Sequence, residues 1–90
     1  MKSLNIQVSG KVQDVYFRKH TKAKADELGI TGAVVNNLDG TVSIFAQGSD
    51  TELEEFLAWS ERGPDAAQIT RHDHAWKEAR ESYPDFRIIR

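Results

Sequence analysis

Two short segments of the sequence carry residue types that could handle an anion and a water molecule. The first, residues 10–18, ends in Arg18, whose guanidinium can hold two phosphate oxygens at once. The second, residues 32–48, contains Asn36, whose side-chain amide can accept from and donate to a water molecule. A loop that leads into a helix can also present unpaired backbone N–H groups to an anion. Residues 10–18 could therefore form an anion-binding loop.

Both segments also fit ordinary structural roles. A plain connection from a strand to a helix, with an exposed arginine, would have the same composition as the first segment. Asparagine beside a hairpin is usually turn chemistry, and Asn37 and Asp39 are assigned to that role. Tyr16 and Phe17 are expected to belong to the core rather than to contact a ligand. Whether the two segments bind a ligand or have only structural roles depends on the helices and strands that hold them.

The first half of the chain predicts a strand, a helix and a hairpin. Polar and apolar residues alternate over residues 4–8, which is the period of a half-buried strand. From Phe17 to Leu28 the apolar residues recur at helical spacing, and Gly29 follows as a helix end. Strands are expected at 30–36 and 41–47, joined by an Asp-Gly turn.

The second half predicts one more helix and two more strands. Ser49 or Thr51 can cap the helix, and Gly63-Pro64 ends it. A polar strand is expected at 67–76, and a short alternating strand at 86–88. This order predicts an α+β fold over residues 1–90 as a single domain. The expected architecture is a ferredoxin-like βαββαβ sandwich, with one antiparallel sheet and both helices on one face.

The composition limits the classes of partner and the cellular compartment that can be expected for this chain. The chain has 90 residues, a formal net charge of −2 and no cysteine. The negative charge argues against a nucleic-acid binder, and the absence of cysteine favours a reducing cytoplasm over a secreted, disulfide-stapled domain. No apolar run approaches the roughly 20 residues of a membrane span. A monomer is expected because no long exposed apolar stripe is evident.

The two segments together resemble the acylphosphatase family. Residues 10–18 are similar to its pattern Gly-x-Val-Gln-Gly-Val-x-aromatic-Arg. Residues 32–48 are similar to Gly-aromatic-Val-x-Asn-x-x-x-Gly-x-Val-x-x-x-x-x-Gly. The likeness extends to Gly63-Pro64 and to the ending at residues 86–88, so it covers almost the whole chain.

The resemblance implies an enzyme that hydrolyses small-molecule acyl phosphates to carboxylate and inorganic phosphate. The family has the ferredoxin-like fold and uses neither metal nor cofactor. Arg18 would bind the phosphoryl group and Asn36 would orient the attacking water. The backbone N–H groups of a phosphate-binding loop would assist Arg18, and that loop comprises Gln13, Asp14, Val15, Tyr16, Phe17 and Arg18. An acyl phosphate has a good leaving group, so positioning and charge stabilisation can supply most of the rate.

Two positions depart from the family pattern. Asp14 replaces a glycine that would permit a positive φ and close approach of a dianion, so we expect weaker phosphate binding, which Asp14→Gly would test. Unless Asp14 faces solvent or pairs with Lys11 or Lys19, its charge opposes the ligand. Ala33 replaces an aromatic residue, and Trp59 is a candidate to fill the space.

Other interpretations remain open at this stage. A degenerate relative would keep the fold and bind small anions with little or no turnover, and Asp14 is its main support. An RNA-binding module on the same architecture would need aromatic residues on the sheet, and the central strands offer only Phe45. His72 and His74 share a strand face, which permits a metal pair, but a polar edge strand is the simpler interpretation.

Overall fold

The alternation and stripe patterns of the sequence become five strands and two helices. A computed structural model describes residues 2–13, 16–79 and 81–89 of the chain. The elements in chain order are β1 (Lys2–Lys11), α1 (Phe17–Leu28), β2 (Thr31–Asn36), β3 (Val42–Gly48), α2 (Asp50–Arg62), β4 (Gln68–Glu78) and β5 (Phe86–Ile89). The predicted fold class, a ferredoxin-like α+β sandwich, is confirmed.

One detail of the predicted sheet is wrong: the sheet is mixed rather than wholly antiparallel. Its strand order is β4-β1-β3-β2-β5, and β5 pairs with β2 in parallel. The chain leaves β4 at the end of the sheet where β2 begins and crosses to the far edge there, so β5 must run in the same direction as β2. Buried Gln47 holds this crossing, because its side chain donates to the carbonyl of Glu81 (2.6 Å) and accepts from the amide of Tyr83 (3.0 Å).

The core lies between the sheet and the two helices, which cover the same face. Every second residue of β1 is buried there, as Leu4, Ile6 and Val8 show. The helices contribute Phe17 from α1 and Phe56 from α2. Within the described residues, no helix is long and apolar enough to span a membrane.

The position of Ala33 corrects the expectation that Trp59 replaces a lost aromatic side chain. Ala33 pairs with Phe45, which is 40% exposed, so both lie on the face of the sheet that the helices do not cover. Trp59 lies on the opposite side and packs against Phe17 and Phe56, with ring centroids 6.1 Å apart in each pair. The alanine therefore leaves no hole in the core.

His72 lies on the edge strand β4, as the simpler interpretation predicts. Its Nε2 is 2.9 Å from the hydroxyl of Ser60 on α2. Because that hydroxyl already donates to the carbonyl of Leu57 (2.8 Å), it accepts from the histidine. Burial lowers the pKa of His72 below its ordinary value, against the opposing attraction of Glu61. Within the described part of the chain, no three acidic, histidine or cysteine residues cluster as metal ligands.

Candidate active site

A cavity of about 630 Å³ opens where β1 leads into α1. The loop and the first turn of α1 line it with Val12, Gln13, Tyr16, Phe17, Arg18 and Lys19. Asn36 enters from the end of β2, and Ile88 enters from β5. The fold thus brings together three segments that are distant in the sequence.

Arg18 is held at the cavity by the last strand. Its Nη1 donates to the backbone carbonyl of Ile89 (3.1 Å). One turn further along α1, the Lys22 ammonium donates to the carbonyl of Phe86 (2.9 Å), so two side chains tie the helix to β5. A guanidinium has five N–H donors in a fixed fork. The bond to Ile89 therefore orients Arg18 and leaves donors for an anion.

Asn36 carries a polar atom that the described protein leaves unused. It is the last residue of β2 and pairs with Val42 across the hairpin. Its Oδ1 is shielded from solvent and has no hydrogen-bond partner. A buried carbonyl oxygen without a partner is costly and rare in folded proteins, so it points to a donor from outside the chain. A water molecule or a ligand hydroxyl could supply that donor.

Among the described residues, no side chain caps the N-terminus of α1. Tyr16 is the N-cap residue and makes no side-chain capping bond, and the first turn contains no acidic residue. The helix α2 differs, because Ser49 and Glu52 form a complete capping box there. No described side chain therefore competes with an anion for the first-turn N–H groups of α1 and the positive end of its helix dipole.

Tyr16 adopts an unusual backbone conformation to begin this helix. Its φ of 58° and ψ of 27° lie in the left-handed region, and it is the only described residue other than glycine with a positive φ. An aromatic residue in this region costs about 1–2 kcal/mol. The prediction that Tyr16 belongs to the core is wrong, since it is 75% exposed at the rim of the cavity, whereas Phe17 is buried as expected.

Hydrogen bonds connect the loop to the β2–β3 hairpin. The Gln13 side-chain amide donates to the carbonyls of Asn37 (2.8 Å) and Thr41 (3.0 Å). Asn37 itself donates to the hydroxyls of Thr41 and Ser43, and Asp39 accepts from the amide and hydroxyl of Thr41. These bonds from Thr41 lower the pKa of the Asp39 carboxyl. Asn37 and Asp39 thus have the turn role predicted for them, and the hairpin that carries Asn36 is firmly braced.

The described lining of the cavity is positively charged. It includes Arg18 and Lys19 and no acidic residue. The ion pairs between described side chains all lie elsewhere in the fold. Positive charge at an uncapped helix terminus attracts an anion. Asp14 and Val15, two predicted members of the loop, lie outside the described residues.

Sequence reasoning found most of this site and missed part of it. Arg18 and Asn36 do line one cavity, together with Gln13, Tyr16 and Phe17. Ile88 was not anticipated as a wall, because about 70 residues separate it from the loop and nothing local signals the approach. Lys19 was considered only as a possible partner of Asp14, and its place directly after Arg18 is the one signal that could have identified it.

The fold places the chain among small α+β sandwiches of the ferredoxin-like class, with a positively charged cavity at the N-terminus of a helix. The family model for acylphosphatases matches residues 4–88. An acylphosphatase of Shewanella oneidensis is 40% identical over 90 residues, which covers 100% of both chains. The crystal structure of the acylphosphatase from Bacillus subtilis superposes with a TM-score of 0.96 at 30% identity, again over 100% of both chains. An acylphosphatase from Coxiella burnetii gives 0.88 at 36% identity, over 98% of this chain and 92% of that one.

The chain belongs to the acylphosphatase family. The match runs through both motifs and nearly the whole length of the sequence, so the resemblance stated from the two motifs is confirmed. The predicted class of enzyme, a hydrolase of acyl phosphates, is confirmed with it, and nothing in these comparisons favours the degenerate alternative.

Proposed function

We propose that the cavity at the start of α1 is the active site of this acyl phosphate hydrolase, with Arg18 binding the phosphoryl group and Asn36 orienting the attacking water. One observation carries the assignment. Arg18 and Asn36 line the same cavity although they belong to different elements, and the Oδ1 of Asn36 is buried with no hydrogen-bond partner among the described residues. The phosphoryl dianion needs a cation to bind it, and the water molecule needs a hydrogen-bond acceptor to orient it.

The reaction is the displacement of a carboxylate at phosphorus. The water oxygen forms a bond to phosphorus, the bond from phosphorus to the bridging oxygen breaks, and the carboxylate leaves with that electron pair. A water that donates one hydrogen to the Asn36 Oδ1 turns a lone pair away from the amide and towards the phosphorus. The second hydrogen passes to a phosphate oxygen, so the products are a carboxylate and inorganic phosphate.

Arg18 and the first-turn amides of α1 stabilise the charge on the transferring oxygens. Because the guanidinium is held by the Ile89 carbonyl before substrate arrives, little reorganisation is needed on binding. A carboxylate is a good leaving group, so this preorganisation can act without a strong general base. The hydrogen bonds from Gln13 to the hairpin support the same assignment, because they fix the loop against the strand that carries Asn36.

The loop, domain and assembly assignments are part of the proposal. Residues 13–18, including Asp14 and Val15, form the phosphate-binding loop. Residues 1–90 act as one domain, which is supported by the single core shared by all the elements. We place the protein in the cytoplasm, which the lack of cysteine supports, and without nucleic-acid partners, which the net charge of −2 supports. We also propose a monomer without membrane partners, because the sequence has no long exposed apolar stripe and no apolar run of membrane-spanning length. Sedimentation equilibrium of the purified chain tests the monomer directly.

Hydrolysis of benzoyl phosphate by purified variants tests the two catalytic assignments. Arg18→Ala should lower kcat/KM by about 100-fold or more and weaken competitive inhibition by inorganic phosphate. Asn36→Ala should lower kcat by about 100-fold while phosphate inhibition stays close to that of the wild type, because the amide acts on water.

Matched controls remove the same groups far from the cavity. Arg62→Ala deletes a guanidinium at the end of α2, and Asn5→Ala deletes an amide from β1, so both should retain wild-type kinetics. The proposal would be refuted if the wild type hydrolysed benzoyl phosphate no faster than the uncatalysed reaction. Catalytic variants that match the controls would remove Arg18 and Asn36 from their roles while leaving the family assignment in place.

A further inference from the structure

Lys19 lines the active-site cavity but has no task in the chemistry proposed above. It follows Arg18 in the first turn of α1. Its Nζ lies 6.0 Å from the centroid of the Tyr16 ring, within reach of a cation–π contact. This contact keeps the ammonium at the rim of the cavity, next to an aromatic ring that is 75% exposed.

No described carboxylate pairs with Lys19, whereas two of its neighbours on the same helix form ion pairs. Lys22 pairs with Asp26 (3.1 Å) and Lys24 pairs with Glu27 (2.7 Å). Lys19 has no ion pair with any described residue, and the described lining of the cavity contains no carboxylate. An unpaired ammonium inside a substrate cavity selects for an anion on the substrate.

The acyl group has a defined place in this cavity. In-line displacement puts the leaving carboxylate on the side of phosphorus opposite the water at Asn36. Arg18 and the helix amides are occupied by the phosphoryl group. Of the other described lining residues, Val12 and Phe17 are buried and Gln13 is bonded to the hairpin. Tyr16, Ile88 and Lys19 therefore remain to contact the acyl chain. Tyr16 and Ile88 offer apolar surface, and Lys19 offers a charge beyond it.

We propose that Lys19 makes this enzyme selective for acyl phosphates whose acyl group ends in a second anion, a carboxylate or a phosphate-like group. The carbon skeleton of the acyl group lies against Tyr16 and Ile88, and its distal anion pairs with the Lys19 ammonium. This inference rests on the proposed active site and names the substrate class that the site takes.

Three substrates that share one ring and differ only in the para group test this selectivity. They are benzoyl phosphate, 4-carboxybenzoyl phosphate and 4-phosphonobenzoyl phosphate, and the para position prevents the second anion from attacking its own acyl carbon. For the wild type, kcat/KM should be higher for the two charged substrates than for benzoyl phosphate. In Lys19→Gln that preference should fall about three- to fivefold, which is the effect of losing one exposed ion pair. Added salt should reduce the wild-type preference in the same direction.

Lys24→Gln is the matched control, because it removes the same charge from the same helix outside the cavity. Lys24→Gln should keep the preference, and Lys19→Arg should keep it because the charge remains. Equal losses on all three substrates in Lys19→Gln would overturn the inference, since they would assign Lys19 to the shared phosphoryl group. An unchanged preference would overturn it as well. A wild type that hydrolyses benzoyl phosphate without any charge preference contradicts the inference alone, whereas no hydrolysis of any substrate contradicts the proposed active site.

Discussion

Replacing Gln13 by leucine should lower both the free energy of unfolding and the rate of the reaction, by amounts that follow from its contacts in the structure. The side chain makes two hydrogen bonds to backbone carbonyls of the hairpin, those of Asn37 and Thr41. Each such bond contributes about 0.5–1.5 kcal/mol net. Neither carbonyl is orphaned by the change, because Asn37 still accepts from the Gly40 amide (3.2 Å) and Thr41 still accepts from the Asn37 amide (2.8 Å). We therefore expect the free energy of unfolding to fall by about 1–2 kcal/mol.

The effect on catalysis should exceed this loss of stability. Gln13 joins the loop before Arg18 to the hairpin that carries Asn36, so its loss lets the two halves of the site move apart. A misplacement on the order of 1 Å costs about 100-fold in rate. Gln13→Leu should lower kcat on benzoyl phosphate by about tenfold to 100-fold, with a smaller change in inhibition by inorganic phosphate.

Urea unfolding and steady-state kinetics on the same preparations measure both quantities. Gln7→Leu is the control, because Gln7 donates to the hydroxyl of Thr41 (3.2 Å) in the same hairpin but does not line the cavity. It should change kcat by less than about twofold. A Gln13→Leu enzyme as active and as stable as the wild type would refute the argument that these two bonds hold the site together.

Three further changes probe the supports of the fold. Gly10→Ala should cost about 3 kcal/mol in thermal unfolding, because Gly10 has a φ of 120° and a Cβ there would overlap the carbonyl of Gln68. Ser49→Ala should cost about 1 kcal/mol, seen as a lower midpoint in urea, because it removes the capping box with Glu52. Burial lowers the pKa of His72 in the folded state, so protonation of His72 favours the unfolded state. The stability that comes from keeping His72 neutral is present above the ordinary pKa of histidine and is lost as the pH falls below that value. His72→Gln should therefore flatten the acid side of a plot of unfolding free energy against pH, and an unchanged acid slope would contradict the assignment.

Local sequence patterns predicted the elements closely because each depends on residues near one another in the chain. The helical stripe beginning at Phe17 and its end at Gly29 give α1, and Ser49 with Glu52 gives the start of α2. The direction of β5 was not predictable in this way. It depends on the side of the sheet at which the chain leaves β4, and on the buried amide of Gln47 that holds the crossing.

The sequence by itself determined which groups we propose for the chemistry: a guanidinium at Arg18 and a carboxamide at Asn36, in two motifs of recognisable spacing. Only the tertiary structure decided how they are used. It places the carbonyl of Ile89 against Arg18, leaves the Oδ1 of Asn36 buried without a partner, and puts Ile88 in the wall of the cavity. These relations join β2 and β5 to the loop before α1. A contact between distant segments depends on how the whole sheet and its helices pack, and no local pattern of residue types encodes it.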